Sequence, residues 1–386
     1  MPEGHPSAED LLSKKVGGFS IDTCVFEAHG FRLDKGELGV LHLQLPPWLT
    51  LYVPAVIWRE VLAHQLRNTT DALNQTRTAI QNLERHTGVD VAAVEKSIVD
   101  LKLDDPKALP FELRLSNFLK RFDGEFLPLE GEGMLKVAFD RYFDIKPPFE
   151  NKKDKKHEFP DVVSLLALEA VAKSRNTMLV LVSTDEGWKQ FSKESQSLYC
   201  VTSLEQLTAL YVSASPAAEA IEQKIIEALK SANSELSKRL ETVLEHEIQD
   251  LSWYAEAYTG VCAGIDAEID SIALKSFGPD LDTLRLWISE QDSAICVAEL
   301  DLSVTCEFHV SADFWHYDSV DKDRLPMGTG TKRIEKTVTV PVFLTFSGDL
   351  AGDVPDDWDI AIESSEKEFS IDAGEMEPDW MREPQE

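Results

Sequence analysis

TMLVLVSTDEGW, residues 177–188, runs unbroken in apolar residues from Met178 to Val182 and then turns polar at Ser183, Thr184, Asp185 and Glu186, before Gly187 and Trp188 start a short helix. The run lacks the alternation of a half-solvated strand, so both faces of the predicted strand are covered, as at the centre of a parallel sheet. Asp185 falls at its carboxyl end. Upstream, Pro160 and Asp161 open an apolar-rich helix to about Ser174. Downstream, residues 197–202 give one more strand. Strands alternate with helices, which places the chain in the α/β class, a parallel sheet flanked by helices.

Further out, VGGFSIDTC (residues 16–24) reads as a buried strand ending at Asp22, followed by a loop and a polar-apolar segment through Gln44. Residues 49–53 are β-rich, and Pro54 suits the start of a helix over about 55–67 that carries Glu60. From about 69 to 145 the pattern is helical and charged, broken by Pro106 and Pro110, which predicts a helical insertion. KPPFENKKDKK (residues 146–156) is an exposed loop with the most basic cluster of the chain.

Beyond Ser213 the character changes. A stripe from Ile221 to Leu244 at helical spacing predicts an amphipathic helix or helix pair. Alternation in residues 294–308, 336–347 and 359–371 predicts antiparallel strands. The expected layout is an N-terminal tail (1–16), a first domain (17–213), a helical connector (214–290), a smaller β-rich C-terminal domain (291–373) and a loose acidic tail (374–386).

The net charge of −31 is unevenly spread: residues 1–213 hold 25 Lys+Arg against 31 Asp+Glu, and residues 214–386 hold 13 against 38. The second half, at −25, repels phosphate backbones, so nucleic-acid chemistry is expected in the first half. The five cysteines form no CxxC pair and read as reduced core residues. No apolar run is long enough to serve as a signal peptide or to span a bilayer, so a cytoplasmic protein without membrane contact is expected.

Four acids stand at places where a parallel α/β sheet binds ligands. Asp22 and Asp185 end strands, and the crevice of such a sheet lies beyond its carboxyl ends. Glu60 and Asp161 lie on adjoining helices. Converging carboxylates suit a hard divalent cation, which prefers oxygen ligands.

The stretches FSIDTCVF around Asp22, VPAVIWREVLAHQ around Glu60, KKHEFPDVVSLLALEAVAKS around Asp161 and LVLVSTDEGWKQF around Asp185 resemble the PIN-domain (PIN-like) metal-dependent ribonuclease family, in its larger bacterial branch with a C-terminal extension. The acid order matches the family's, and Ser183-Thr184-Asp185 supplies its Ser-x-Asp strand ending. The resemblance covers residues 17–212 and implies a PIN-like fold and a Mg²⁺- or Mn²⁺-dependent endoribonuclease. It also implies that Asp22, Glu60, Asp161 and Asp185 bind metal and activate water, and that the substrate is single-stranded RNA. A toxin or defence role follows by analogy. The long stretch between Glu60 and Asp161 departs from the minimal domain.

Around these four, Thr23, Ser183 and Thr184 are candidates to bond a ligand carboxylate or a scissile phosphate, Lys155 and Lys156 to steer phosphate, and Glu158 to act as an auxiliary ligand. Each has an ordinary rival: hydroxyls satisfy turns, basic loops are solvated, and an acid in a helix's first turn meets the helix dipole. Trp188 is expected to pack against the sheet rather than stack on a base. Two other functions fit the same residues: a nuclease of the same fold acting on DNA ends or flaps, and an interaction module in which residues 214–386 engage a protein partner or a second copy.

Overall fold

The computed structural model describes residues 6–7, 10–11, 13–88, 90–100, 105, 107, 109–129, 133–149, 158–213, 215–231, 234–260, 264–290, 292–318, 323–352, 358–364 and 368–381. The chain divides into two compact units, Met1–Tyr211 and Val212–Glu386.

In the first unit the elements run β1 (Val16–Ile21), α1 (Thr23–Ala28), α2 (Gly36–Gln44), β2 (Thr50–Pro54), α3 (Ala55–Thr87), α4 (Ala92–Asp100), α5 (Phe111–Lys120), β3 (Glu125–Leu127), α6 (Met134–Asp144), α7 (Phe159–Arg175), β4 (Met178–Val182), α8 (Glu186–Glu194), β5 (Leu198–Val201) and α9 (Leu204–Ala209). Five strands form one parallel sheet in the order β3-β2-β1-β4-β5. The apolar runs of β1, β2 and β4 are buried almost throughout, as two helix-covered faces require. Gly18 lets β1 and β2 approach closely, since a Cβ there would lie 2.6 Å from the Thr50 carbonyl oxygen.

From β1 the chain steps to β2 on one side, while β4 pairs on the other. The order therefore reverses between β1 and β4, where Ile21 pairs with Val182. In open α/β sheets that reversal opens the ligand crevice at the carboxyl ends.

Two local expectations are corrected here. The loop and mixed segment after Asp22 is helical, as α1 and α2. The helix carrying Glu60 does not stop near Arg67 but continues to Thr87, about 50 Å of helix at 1.5 Å per residue. Thr70, Thr76, Thr78 and Thr87 donate their hydroxyls to carbonyls four residues back, which satisfies them inside the helix. The stop is Gly88, at φ +68°, whose N–H bonds the Glu84 carbonyl.

In the second unit α10 (Pro216–Lys230) and α11 (Glu235–Asp250) are N-capped by Ser215 and Ser234. They bury Ile221, Ile225, Leu229, Leu236, Leu240, Leu244 and Ile248 in the core of this unit. Strands β7 (Gly264–Ile288), β8 (Ile295–Asp318), β9 (Asp323–Ser347) and β10 (Asp359–Ser364) form an antiparallel sheet in the order β10-β9-β8-β7. A separate parallel pair joins β6 (Ser252–Tyr258) to β11 (Glu368–Glu375). Residues 252–258 and 264–288, read from sequence as part of a helical connector, are thus strands. Irregularities at Ile269/Ser271, Leu274/Ser276 and Asp280/Arg285 break the two-residue period that would have revealed β7. The residues after Ala373 are not loose as far as Met381: Met376 is buried and the Trp380 indole donates to the Met327 carbonyl. Residues 382–386 lie outside the described residues. Among the described residues no helix is long and apolar enough to cross a membrane.

An aromatic chain ties the first unit's helices to β1: Phe118 meets Phe26 and Phe122 edge-on, and Phe122 meets Phe19. Phe118 is fully buried, whereas Leu113 on the same helix is exposed. In urea unfolding, Phe118→Ala is expected to cost about 3–5 kcal/mol, and Leu113→Ala less than about 0.5 kcal/mol.

Candidate functional site

Asp22 directly follows β1, and its backbone N–H is held by the Val182 carbonyl of β4 at 3.0 Å. It occupies the N-cap position of α1, yet its side chain does not cap that helix. An aspartate here ordinarily satisfies the helix's first amides. Asp22 Oδ2 accepts instead from the Ser183 hydroxyl at 2.6 Å and the Cys24 thiol at 3.0 Å. Asp22 thus directs Oδ2 to side-chain donors rather than to a cap of α1.

Ser183 also accepts from the backbone N–H of Asp185 at 3.0 Å, so one hydroxyl joins the two strand-end acids. Asp185 does cap its helix: Oδ1 accepts from the Trp188 N–H at 3.1 Å. Glu60, in the second turn of α3, accepts from the Thr23 hydroxyl at 2.9 Å. Asp161, in the first turn of α7, accepts on Oδ1 from the indole N–H of Trp188 at 2.9 Å.

The charges respond to one another. Burial pushes the Asp161 carboxyl up to about 7, and the carboxylates of Asp22, Asp185 and Glu60 push the same way against the Trp188 hydrogen bond. Asp22 is raised by burial and by Asp185, against bonds from Ser183, Cys24 and the Thr23 N–H. Glu60 is raised by burial and by Asp22, while the Thr23 bond and His64 oppose. Asp22, Glu60 and Asp185 thus all lie within electrostatic reach of Asp161. Among the described residues no lysine or arginine pairs with any of them.

Among the described residues, no three His, Cys, Asp or Glu side chains are already gathered at the spacing of a metal cage. Like charges with no counter-cation repel, and a bound cation would offset that repulsion. The donor set, hard carboxylate oxygens, fits a divalent cation such as Mg²⁺ or Mn²⁺.

Thr23 and Ser183 thus have carboxylate partners. Thr184 is exposed, 3.4 Å from the Cys24 sulfur through its hydroxyl. Glu158 is half-buried at the N-cap position of α7, without capping it. Lys155 and Lys156 lie outside the described residues. Glu169 is elsewhere, engaged by Ser195 and Lys173. His64 reaches Glu27 at 3.3 Å. Two residues were missed as site components. Cys24, read as ordinary core, bonds Asp22 and is signalled only by lying two positions after it. Trp188 is fully buried, so it packs as expected, but its two donors on two acids have no sequence signature.

No curated protein matches the chain, and no solved structure does. The family model of the PIN domain matches residues 20–188, a span that begins just before Asp22, ends at Trp188 and encloses all four acids. PIN domains are nucleases, which hydrolyse phosphodiester bonds in nucleic acid. The match over residues 20–188, together with the five-stranded parallel sheet that they build, places a PIN domain in the first unit, and an antiparallel C-terminal unit follows it.

Proposed function

We propose that the first unit is a metal-dependent endoribonuclease acting on single-stranded RNA, with Asp22, Glu60, Asp161 and Asp185 as the ligands of one or two Mg²⁺ or Mn²⁺ ions. The observation that carries this reading is the placement of Asp22 and Asp185 at the ends of neighbouring strands at the sheet's reversal point, linked through the Ser183 hydroxyl, with Trp188 linking Asp185 to Asp161. Buried acids without a counter-cation are costly, and a bound cation removes that cost.

When bound, the ion lowers the pKa of a coordinated water and offsets charge on the phosphate. The chain's own residues set the geometry. Ser183 and Cys24 fix one oxygen of Asp22, and Thr23 fixes one oxygen of Glu60. Trp188 occupies Oδ1 of both Asp161 and Asp185, leaving Oδ2 of each for coordination. Asp161, with its carboxyl near 7, is suited to hold a proton in the metal-free state and release it on loading.

Two measurements test this. With Mn²⁺ and single-stranded RNA, wild type is expected to cleave, and Asp22→Asn and Asp185→Asn to fall by at least about 100-fold, within the range for lost metal or electrostatic groups. Equal cleavage by all three removes the proposal. A parallel panel of single-stranded DNA and flaps decides the substrate.

The second measurement is thermal. Asp161 has its folded pKa, about 7, above the ordinary carboxyl value of 3.8, so the native state holds a proton that the unfolded state releases between those values. Metal-free stability therefore falls as pH rises from about 4 to 7. In melts of metal-free protein, Asp161→Asn is expected to be more stable than wild type at pH 8, with the gap narrowing towards pH 4. Adding Mg²⁺ is expected to raise the wild-type melting temperature more than that of the variant.

A further inference from the structure

Trp188 is a single buried side chain with two donors on two acids that belong to different helices. Its indole N–H meets Oδ1 of Asp161 on α7, and its backbone N–H meets Oδ1 of Asp185 at the start of α8. The ring is fully buried, which rules out stacking on a base. Behind it, the Ser192 hydroxyl donates to the Trp188 carbonyl, fixing the residue within its helix. Gly187, just before it, is packed so tightly that a Cβ would lie 2.9 Å from both Asp185 Oδ1 and the Pro148 carbonyl.

We propose that Trp188 is a positioning residue for the divalent cation: it holds Asp161 and Asp185 so that each offers one oxygen, Oδ2, to the ion. The proposal rests on the reading of the four acids as one metal site. Two like charges must be brought together without being neutralised beforehand. A lysine or arginine bridging them would do the first and defeat the second, because a fixed cation competes with the ion. Two N–H dipoles from one rigid residue fix orientation and leave the net charge available. The indole bond also restricts the Asp161 carboxyl about its terminal torsion, which is otherwise broad. Partners of this outer kind commonly change metal affinity about 10- to 100-fold when removed.

Trp188→Phe in the full-length chain removes only the indole donor and retains the ring and the backbone bond to Asp185. Three readouts are taken: the thermal melt, Mn²⁺ affinity by calorimetry, and single-turnover RNA cleavage across Mn²⁺ concentrations. The expected result is a folded variant whose Mn²⁺ dissociation constant rises at least about 10-fold. Cleavage is expected to recover at saturating Mn²⁺, with KM for the RNA unchanged. A folded variant that binds Mn²⁺ as wild type does overturns the positioning role and leaves the four-acid site standing. Failure of wild type to bind Mn²⁺ at all overturns the site reading, and the positioning role with it.

If Trp188→Phe does not fold, the indole ¹H–¹⁵N resonance of Trp188 in wild type reports instead. A shift of that resonance on Mg²⁺ titration, absent in Asp161→Asn, supports the role. A resonance indifferent to Mg²⁺ overturns it.

Discussion

The parallel pairing of β1 with β4, with Ile21 beside Val182, is the constraint on which the rest of the first unit depends. Parallel strands point their carboxyl ends the same way, so two acids 163 positions apart arrive at one rim. The Ser183 hydroxyl then links them, donating to Asp22 and accepting from the Asp185 amide. A slip of one residue would turn Asp22 and its neighbours to the opposite face, because side chains alternate along a strand. The close packing of Phe19 and Leu181 between the covering helices opposes such a slip.

Around this rim, packing supports the electrostatics. Each carboxylate has at least one short neutral donor, from serine, threonine, cysteine or tryptophan, and no fixed cation among the described residues. Neutral donors orient an acid without cancelling its charge. The result is a group of carboxylates held near one another at a cost in local stability. This is the general compromise of sites built for binding, where local stability is given up for function.

Much of this was legible in the chain itself. Asp22 and Asp185 follow apolar runs whose composition identifies them as covered strands, and that places them at the sheet's carboxyl rim without any structure. Glu60 and Asp161 were legible only through their flanking sequences, because a helical acid carries no mark of the direction it faces. Trp188 was invisible as a ligand's partner, since a buried tryptophan looks the same whether or not its N–H has a particular acceptor. The continuity of α3 with the helical stretch that follows Arg67 was not legible from spacing, and β7 was hidden by interruptions that offset its alternation. In each case the deciding contact was either a hydrogen bond or a change of register, and neither is encoded in residue spacing.

Asp185 serves two masters, since its Oδ1 starts α8 while its charge belongs to the rim. Asparagine begins helices about as well as aspartate, so the amide replacement deletes the anion yet keeps the helix's first turn satisfied. Alanine would remove both at once. The side chain's double employment therefore provides a built-in separation of architecture from charge, available at this corner of the crevice and not at Asp22, whose carboxylate caps nothing.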